Sequence, residues 1–157
     1  MIYVEISRID NNWQSEEDLK SQCEIIINTA VEYLQLSTQN SEISLVFSNE
    51  EEIKKLNKKW RNKDSATNVL SFPTVILTPD DNLPALLGDI ILSYETIAAQ
   101  AKDFNKDFWH HASYLIIHGL LHLLGYDHDN PKNAQNMENL EINILKRLEI
   151  TNPYEIC

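Results

Sequence analysis

The sequence predicts an α+β fold in which a mixed sheet of about four strands packs against helices. Its 157 residues are 43% hydrophobic and 24% charged, which is the composition of a globular protein with a real core. We therefore expect residues 1–157 to form a single domain. Segments with strand-like alternation are intermixed with segments of helical periodicity. Two apolar strands follow each other with no room for a helix between them, which argues against a purely βαβ architecture.

The first elements are a strand and an amphipathic helix. Residues 2 to 9, IYVEISRI, alternate and carry β-branched side chains, as strands do. Ser15 is a predicted N-cap, and the helix that follows should run to about Leu36. Its apolar residues recur at helical spacing and should face the core: Leu19, Cys23, Ile27, Ala30, Val31 and Leu34.

A second strand is predicted at 42–47, and a second helix, capped by Ser48 or Asn49, at 50–60. The predicted buried stripe of this helix is Ile53, Leu56 and Trp60. Six of the chain's 13 basic residues lie in KKLNKKWRNK, residues 54–63, and this window contains no acid. It is either a solvated helix face or a patch that binds anions.

The remaining elements are two apolar strands and two helices. NVLSF and GDIILS are predicted strands, and the proline-rich segment VILTPDDNLP forms a loop between them. A third helix should start at Ser93 and reach about Asp103. The run DFWHHASYLIIHGLLHLL, residues 107–124, is apolar on most faces and predicts a buried helix. Gly125 can end that helix in a left-handed conformation.

Composition and charge exclude several classes of protein. The net charge of -11 argues against a protein that coats nucleic acid non-specifically. Three glycines are too few for a phosphate-binding loop or a dinucleotide fingerprint. Cys23 and Cys157 give neither a disulfide framework nor a cysteine zinc site. The N-terminal stretch does not read as a signal peptide, and no run approaches membrane-spanning length, so we expect a cytoplasmic protein with no membrane contact.

Three histidines have the spacing of a metal site. His118 and His122 are one helical turn apart, and a turn at Gly125 can bring His128 back towards them. Three imidazoles leave one position open, which favours a catalytic site with bound water over a structural one. Zinc is the expected metal, although nickel, copper or cobalt would also accept three imidazoles.

Other residues near this motif are less favoured as metal ligands. Asp127 or Asp129 could supply a fourth ligand and close the site. His110 and His111 are expected to lie on the surface or to support the ligands rather than bind the metal.

The histidine spacing matches the metzincin pattern H-E-x-x-H-x-x-G-x-x-H, except that Gly119 replaces the glutamate. That glutamate is the general base of such peptidases, so its absence weighs against peptide hydrolysis. Because glycine weakens a helix, we interpret the room that Gly119 leaves beside the metal as having a use.

HGLLHLLGYDH, residues 118–128, resembles the signature of the YbeY family of bacterial endoribonucleases, the rRNA maturation factors. TNVLSFP and LLGDIILS are similar to the family's T-D-V-L-S-F-P and L-G-D-I segments. MENLEINIL from Met137 and NPY at Asn152 to Tyr154 also fit. The resemblance covers about residues 45 to 154.

The resemblance implies a zinc protein that cuts single-stranded RNA in small-subunit rRNA 3'-end maturation and ribosome quality control, with the ribosome or ribosomal proteins as partners. By position, the implied zinc ligands are His118, His122 and His128, and the family's functional arginine is Arg61. Metal-bound water and Arg61 would then assist phosphodiester cleavage, although the RNA's own 2'-hydroxyl could also be the attacking group. Asn68 replaces the family's aspartate, which leaves the role of that aspartate in doubt.

Two other functions remain open from the sequence. One is a metallopeptidase of metzincin-like geometry, against which Gly119 argues. The other is a non-enzymatic ribosome-associated factor that a metal merely stabilises. The acidic net charge suggests a focused RNA contact at the basic segment and the metal cleft, with a protein partner supplying affinity.

Overall fold

The computed structural model of the chain describes residues 2–37, 40–63, 65 and 67–154. Cys157 lies outside these residues, and Cys23 is buried in the core. Within the described part of the chain, no helix is both long enough and apolar enough to cross a bilayer. Its elements, in chain order, are β1 Tyr3–Arg8, α1 Glu16–Leu34, β2 Glu42–Ser48, α2 Glu50–Arg61, β3 Val69–Pro73, β4 Leu86–Ser93, α3 Tyr94–Asp103, α4 Phe108–Leu123 and α5 Pro131–Arg147.

The four strands form one mixed sheet in the order β1-β2-β4-β3. β2 is parallel to both β1 and β4, and β3 pairs antiparallel with β4. The connection between β3 and β4 contains no helix to cross over the sheet, which agrees with the antiparallel pairing. The predicted α+β class with a mixed sheet of four strands is confirmed.

Local sequence signals account for the boundaries of α1. Ser15 caps the helix, and its hydroxyl accepts a hydrogen bond from the Asp18 N–H. The helix ends at Leu34, slightly before the predicted Leu36, because Gln35 adopts a left-handed conformation. The predicted apolar face is buried, with Leu34 itself only half-buried.

The two faces of the sheet carry different helices. Successive strand residues point to opposite faces. Ile90 and Leu92 belong to the main core with α1, α4 and α5. Ile91, between them, belongs to a second, small cluster under α2. That cluster consists of Ile53, Leu70 and Ile91, with Val46, Leu56 and Phe72 against it.

The predicted buried stripe of α2 is wrong at one position. Ile53 is fully buried and Leu56 is half-buried, but Trp60 is 63% exposed. Asn57 takes the buried position instead, and its side-chain amide donates to the Ser65 carbonyl over 2.9 Å. The small cluster under α2 does not extend to the last turn among the described residues, so periodicity places Trp60 on the right face but beyond the part of it that the cluster covers.

Candidate metal centre

Two histidines project from α4, most of which lies in the core. Asp107 caps the helix by accepting from the His110 N–H over 3.0 Å. His118 and His122 follow on one face, with their ring centroids 4.5 Å apart and their Nε2 atoms 3.0 Å apart. The helical spacing read from the sequence therefore brings the two rings into direct contact.

The turn after α4 delivers the third histidine. Gly125 has φ +100°, and its N–H donates to the His122 carbonyl while the Tyr126 N–H donates to that of Leu121. A Cβ at Gly125 would lie 2.2 Å from the Leu77 carbonyl oxygen, so only glycine fits there. The chain reverses as predicted, and the His128 ring centroid lies 5.2 Å from that of His122.

Hydrogen bonds fix the orientation of the two helical rings. The His122 Nδ1 lies 3.1 Å from the Tyr126 carbonyl oxygen, which can only accept, so Nδ1 carries the proton. The His118 Nδ1 lies 2.5 Å from the Glu141 carboxylate and donates to it in the same way. In neutral rings both Nε2 atoms then carry lone pairs that face each other. Such a contact is repulsive unless a cation lies between the two nitrogens.

The donor set fits a metal ion. One ligating atom from each of His118, His122 and His128 lies within 4.8 Å of the others. Two nitrogens bound tetrahedrally to one zinc ion are about 3.3 Å apart, close to the separation of the two Nε2 atoms. Burial, with a smaller effect from the two neighbouring histidines, lowers the pKa of His122 to about 4. That ring is neutral near pH 7 and is available as a ligand.

Glu141 is a residue of the candidate site that sequence reasoning missed. It is fully buried on α5, where it follows the buried Met137 by four residues and precedes the buried Ile144 by three. The Tyr154 hydroxyl donates to its other carboxylate oxygen over 2.5 Å. A charged residue on the apolar face of an amphipathic helix is the signal that identifies it, because such a carboxylate needs a partner.

Tyr154, which holds Glu141, is in turn in contact with a second tyrosine. The Tyr154 and Tyr114 hydroxyls lie 3.1 Å apart. Burial and the hydrogen bond to Glu141 raise the pKa of Tyr154, which therefore stays a donor. A continuous set of contacts thus runs from Tyr114 through Tyr154 and Glu141 to His118. Such outer contacts typically orient a metal-binding imidazole.

The predicted fourth-ligand alternative gains no support from the geometry. Asp127 and Asp129 are exposed, and both accept hydrogen bonds from the Asn133 side-chain amide, at 3.3 and 3.0 Å. Among the described residues, the group able to share one ion consists of the three histidines alone. The coordination that these side chains offer therefore has an open position.

The three histidines line a cleft of about 480 Å³. Arg61, in the exposed last turn of α2, lines the same cleft. The structure thus brings together all four residues that the sequence singled out, while the role of Arg61 remains a prediction. The other lining residues are Asn68, Val69, Ser71, Pro73, Tyr114 and Leu115.

Asn68 is held by a buried hydrogen-bond network. Its side-chain amide donates to the Gln100 side-chain oxygen over 3.0 Å, and the His111 Nε2 lies 2.9 Å from the same oxygen. An aspartate has no N–H to donate in this way. Burial, followed by the Lys106 charge, lowers the pKa of His111 to about 4. His111 is buried rather than on the surface, whereas His110 is exposed as predicted.

The interpretation of Gly119 needs correction. A Cβ at this position would lie 3.0 Å from both Ile90 Cγ2 and Ser71 Oγ, so side chains of the sheet occupy the space that the glycine leaves. Gly119 therefore allows α4 to approach β3 and β4 closely, and it does not open room beside the histidines. The weakness it introduces into the helix is offset by packing rather than by substrate.

Comparisons with known proteins identify the family of this chain. The sequence profile of the family described as Endoribonuclease YbeY matches residues 5–149. The Endoribonuclease YbeY of Rhizobium johnstonii is 44% identical over 158 residues, which cover 97% of this chain and 92% of that protein. The Endoribonuclease YbeY of Bartonella quintana is 41% identical over 154 residues and 98% of each chain.

A solution structure of a Thermotoga maritima protein has the same fold, with a TM-score of 0.59 and 22% identity over 99% of each chain. The profile spans nearly the whole chain, and the sequence relatives exceed 40% identity over nearly their full lengths. The chain belongs to the YbeY family of endoribonucleases.

Proposed function

We propose that residues 1–157 act as one domain, a metal-dependent endoribonuclease that cuts single-stranded RNA. The observation that carries the proposal is the pair of Nε2 lone pairs facing each other at 3.0 Å, with His128 beside them, in a cleft that also holds Arg61. Family membership supplies the substrate class, because the relatives are named endoribonucleases.

In this proposal His118, His122 and His128 hold one zinc ion or another divalent transition metal. The metal, when bound, supplies positive charge to the scissile phosphodiester and lowers the pKa of water. Glu141 and the Tyr126 carbonyl keep the two helical rings in the tautomer that leaves Nε2 free to bind.

Arg61 is proposed to bind the phosphate. A guanidinium matches phosphate oxygens with two parallel hydrogen bonds and stays charged throughout the reaction. Arg61 is exposed and makes no ion pair with an acid within the described residues. The cleft wall supports an anionic substrate, because no Asp or Glu is found among the described residues that line it.

The same cleft disfavours the peptidase alternative. A metallopeptidase of this histidine spacing needs a carboxylate as general base next to the metal. The Gly119 position lacks it, and no other described residue in the wall supplies one.

The biological role that we propose is small-subunit rRNA 3'-end maturation and ribosome quality control in the cytoplasm, with the ribosome or a ribosomal protein as partner. Its support is the family resemblance together with the net charge of -11. A strongly acidic protein cannot grip RNA over a broad surface, so a partner would supply part of the affinity.

The proposal is tested by cleavage of a single-stranded RNA with protein of measured metal content. We expect chelation or His122→Ala to remove both the metal and cleavage. His110→Ala is the matched control, because His110 lies exposed on the same helix and outside the histidine group. Cleavage that survives His122→Ala would contradict metal dependence.

The same experiment distinguishes the nuclease from the non-enzymatic alternative. A protein that unfolds on chelation but cuts no RNA when fully loaded would favour a metal-stabilised factor instead. Products ending in a 2',3'-cyclic phosphate would identify the RNA's own 2'-hydroxyl as the attacking group.

A further inference from the structure

Trp60 lies at an unusual place for so large an apolar side chain. It is 63% exposed on the last turn of α2 and belongs to neither hydrophobic cluster. Its neighbour in sequence, Arg61, lines the cleft that holds the three histidines. An exposed aromatic ring therefore directly precedes the proposed phosphate-binding residue in the last turn of α2, outside the lining of the cleft itself.

The surroundings of Trp60 are cationic. Lys54, Lys58 and Arg61 recur at i, i+4 and i+7, so they share one face of α2 and form a basic stripe that leads to the cleft. Lys59 places its Nζ 5.0 Å from the centroid of the Trp60 ring. Within the described part of the chain, Lys55 is the only one of the α2 cations in an ion pair, with Glu51 and Glu52.

This combination matches the chemistry of an unpaired nucleic acid strand. Proteins that bind single strands join a positively charged track for the phosphates with aromatic rings on which bases stack. A base inside a duplex keeps both faces against its neighbours and offers none to a protein side chain. An acidic protein surface would complement the lysines, but its carboxylates would be repelled by the negative face of the exposed tryptophan ring.

We infer that Trp60 is a stacking platform for an unpaired nucleobase next to the phosphate in the cleft, and that the Lys54–Lys58–Arg61 stripe binds the backbone leading to it. The inference rests on the proposed function and deepens it, because it gives the preference for single strands a physical cause. A base can cover the Trp60 ring only when it is not paired.

Affinity for an oligonucleotide tests the platform directly. The ligand is a labelled 2'-O-methyl oligoribonucleotide of about ten nucleotides with the metal-loaded protein, and gel electrophoresis after binding checks that it is still intact. We expect Trp60→Ala to weaken binding about 5- to 100-fold, and Trp60→Tyr to retain most of the affinity. Tyr3→Ala is the control, because Tyr3 is 53% exposed on β1, at the opposite edge of the sheet from β3, and should bind like the parent.

Fluorescence supplies a second measurement. Trp13 is buried and Trp109 is half-buried, so quenching on addition of the oligonucleotide should come from Trp60 and vanish in Trp60→Tyr. The same oligonucleotide annealed to its complement should bind the parent and Trp60→Ala equally.

Equal affinities of Trp60→Ala and Tyr3→Ala for the single strand would overturn the inference. A loss of affinity for the duplex in Trp60→Ala as large as the loss for the single strand would also overturn it. So would Trp60-dependent binding of polyglutamate with unchanged oligonucleotide binding, which would assign the surface to an acidic protein. The nuclease proposal fails separately: Trp60-dependent binding without any RNA cleavage would support the platform and refute the nuclease.

Discussion

The histidine region and the end of α2 border the same cleft but are built in opposite ways. Around His118 and His122 each Nδ1 has a hydrogen-bond partner, and the supporting Glu141 is fully buried. At the end of α2, Trp60 and its neighbouring cations are exposed. The first region depends on geometry and is sensitive to displacement, whereas the second depends on charge and surface and should tolerate change without unfolding.

Gly125→Ala should produce the largest effect, because it strikes the turn on which the histidine geometry depends. Its φ of +100° disfavours any side chain, and the new Cβ would meet the Leu77 carbonyl. We expect the free energy of unfolding to fall by about 3 kcal/mol, with loss of the metal, measured by urea titration and elemental analysis.

Gly119→Ala is the matched control for this change. Its new Cβ would crowd side-chain atoms of Ile90 and Ser71 rather than backbone, and the better helix propensity of alanine offsets part of that cost, so the free energy of unfolding should fall by about 1 kcal/mol. Equal losses in the two variants would show that the turn has no special role.

Glu141→Gln tests a single hydrogen bond of the histidine region, the one between Glu141 and His118. The amide loses the charge that holds the His118 Nδ1–H, and zinc affinity should fall about 10- to 100-fold. Zinc titration against a competing chelator measures it, with Glu138→Gln on the same helix as control. Parental zinc affinity in Glu141→Gln would refute the orienting role.

Arg61→Ala changes the end of α2 and tests whether the histidine region keeps its metal. RNA turnover should fall about a hundredfold while metal content stays at the parental level, because the lost group binds phosphate and not the ion. The RNA turnover of Arg61→Lys should be intermediate, since lysine keeps the positive charge but lacks the two parallel N–H donors of the guanidinium. Loss of the metal in Arg61→Ala would instead assign the residue a structural role.

Lys54→Ala should give the smallest effect. Lys54 is exposed and has no ion pair in the described residues, so the free energy of unfolding should change by about 0.5 kcal/mol or less. The slope of log affinity for single-stranded RNA against log salt should fall by about 0.7. Lys20→Ala, which removes a lysine seated over Tyr3, should leave that slope unchanged.

Features encoded within a few residues could be predicted from the sequence. The helical spacing of His118 and His122 and the left-handed turn at Gly125 need only local geometry, and both are found in the structure. The mixed sheet followed from the lengths of the connections between strands.

Features that depend on distant partners could not be predicted in the same way. Glu141 lies 23 residues along the sequence from His118, and Asn68 lies 32 residues from Gln100. At such separations the periodicity of the sequence does not indicate which residues are in contact. Trp60 was misplaced because periodicity identifies the face of a helix but not how far the layer beneath it extends. Gly119 was misread because the sequence does not show that Ile90 lies against it.

The bond from Tyr154 to Glu141 has a consequence for biosynthesis. Translation adds residues from the N-terminus, so a nascent chain carries all three histidines before it carries the hydroxyl that braces them. The support of His118 through Glu141 can therefore be complete only after residue 154 has been translated.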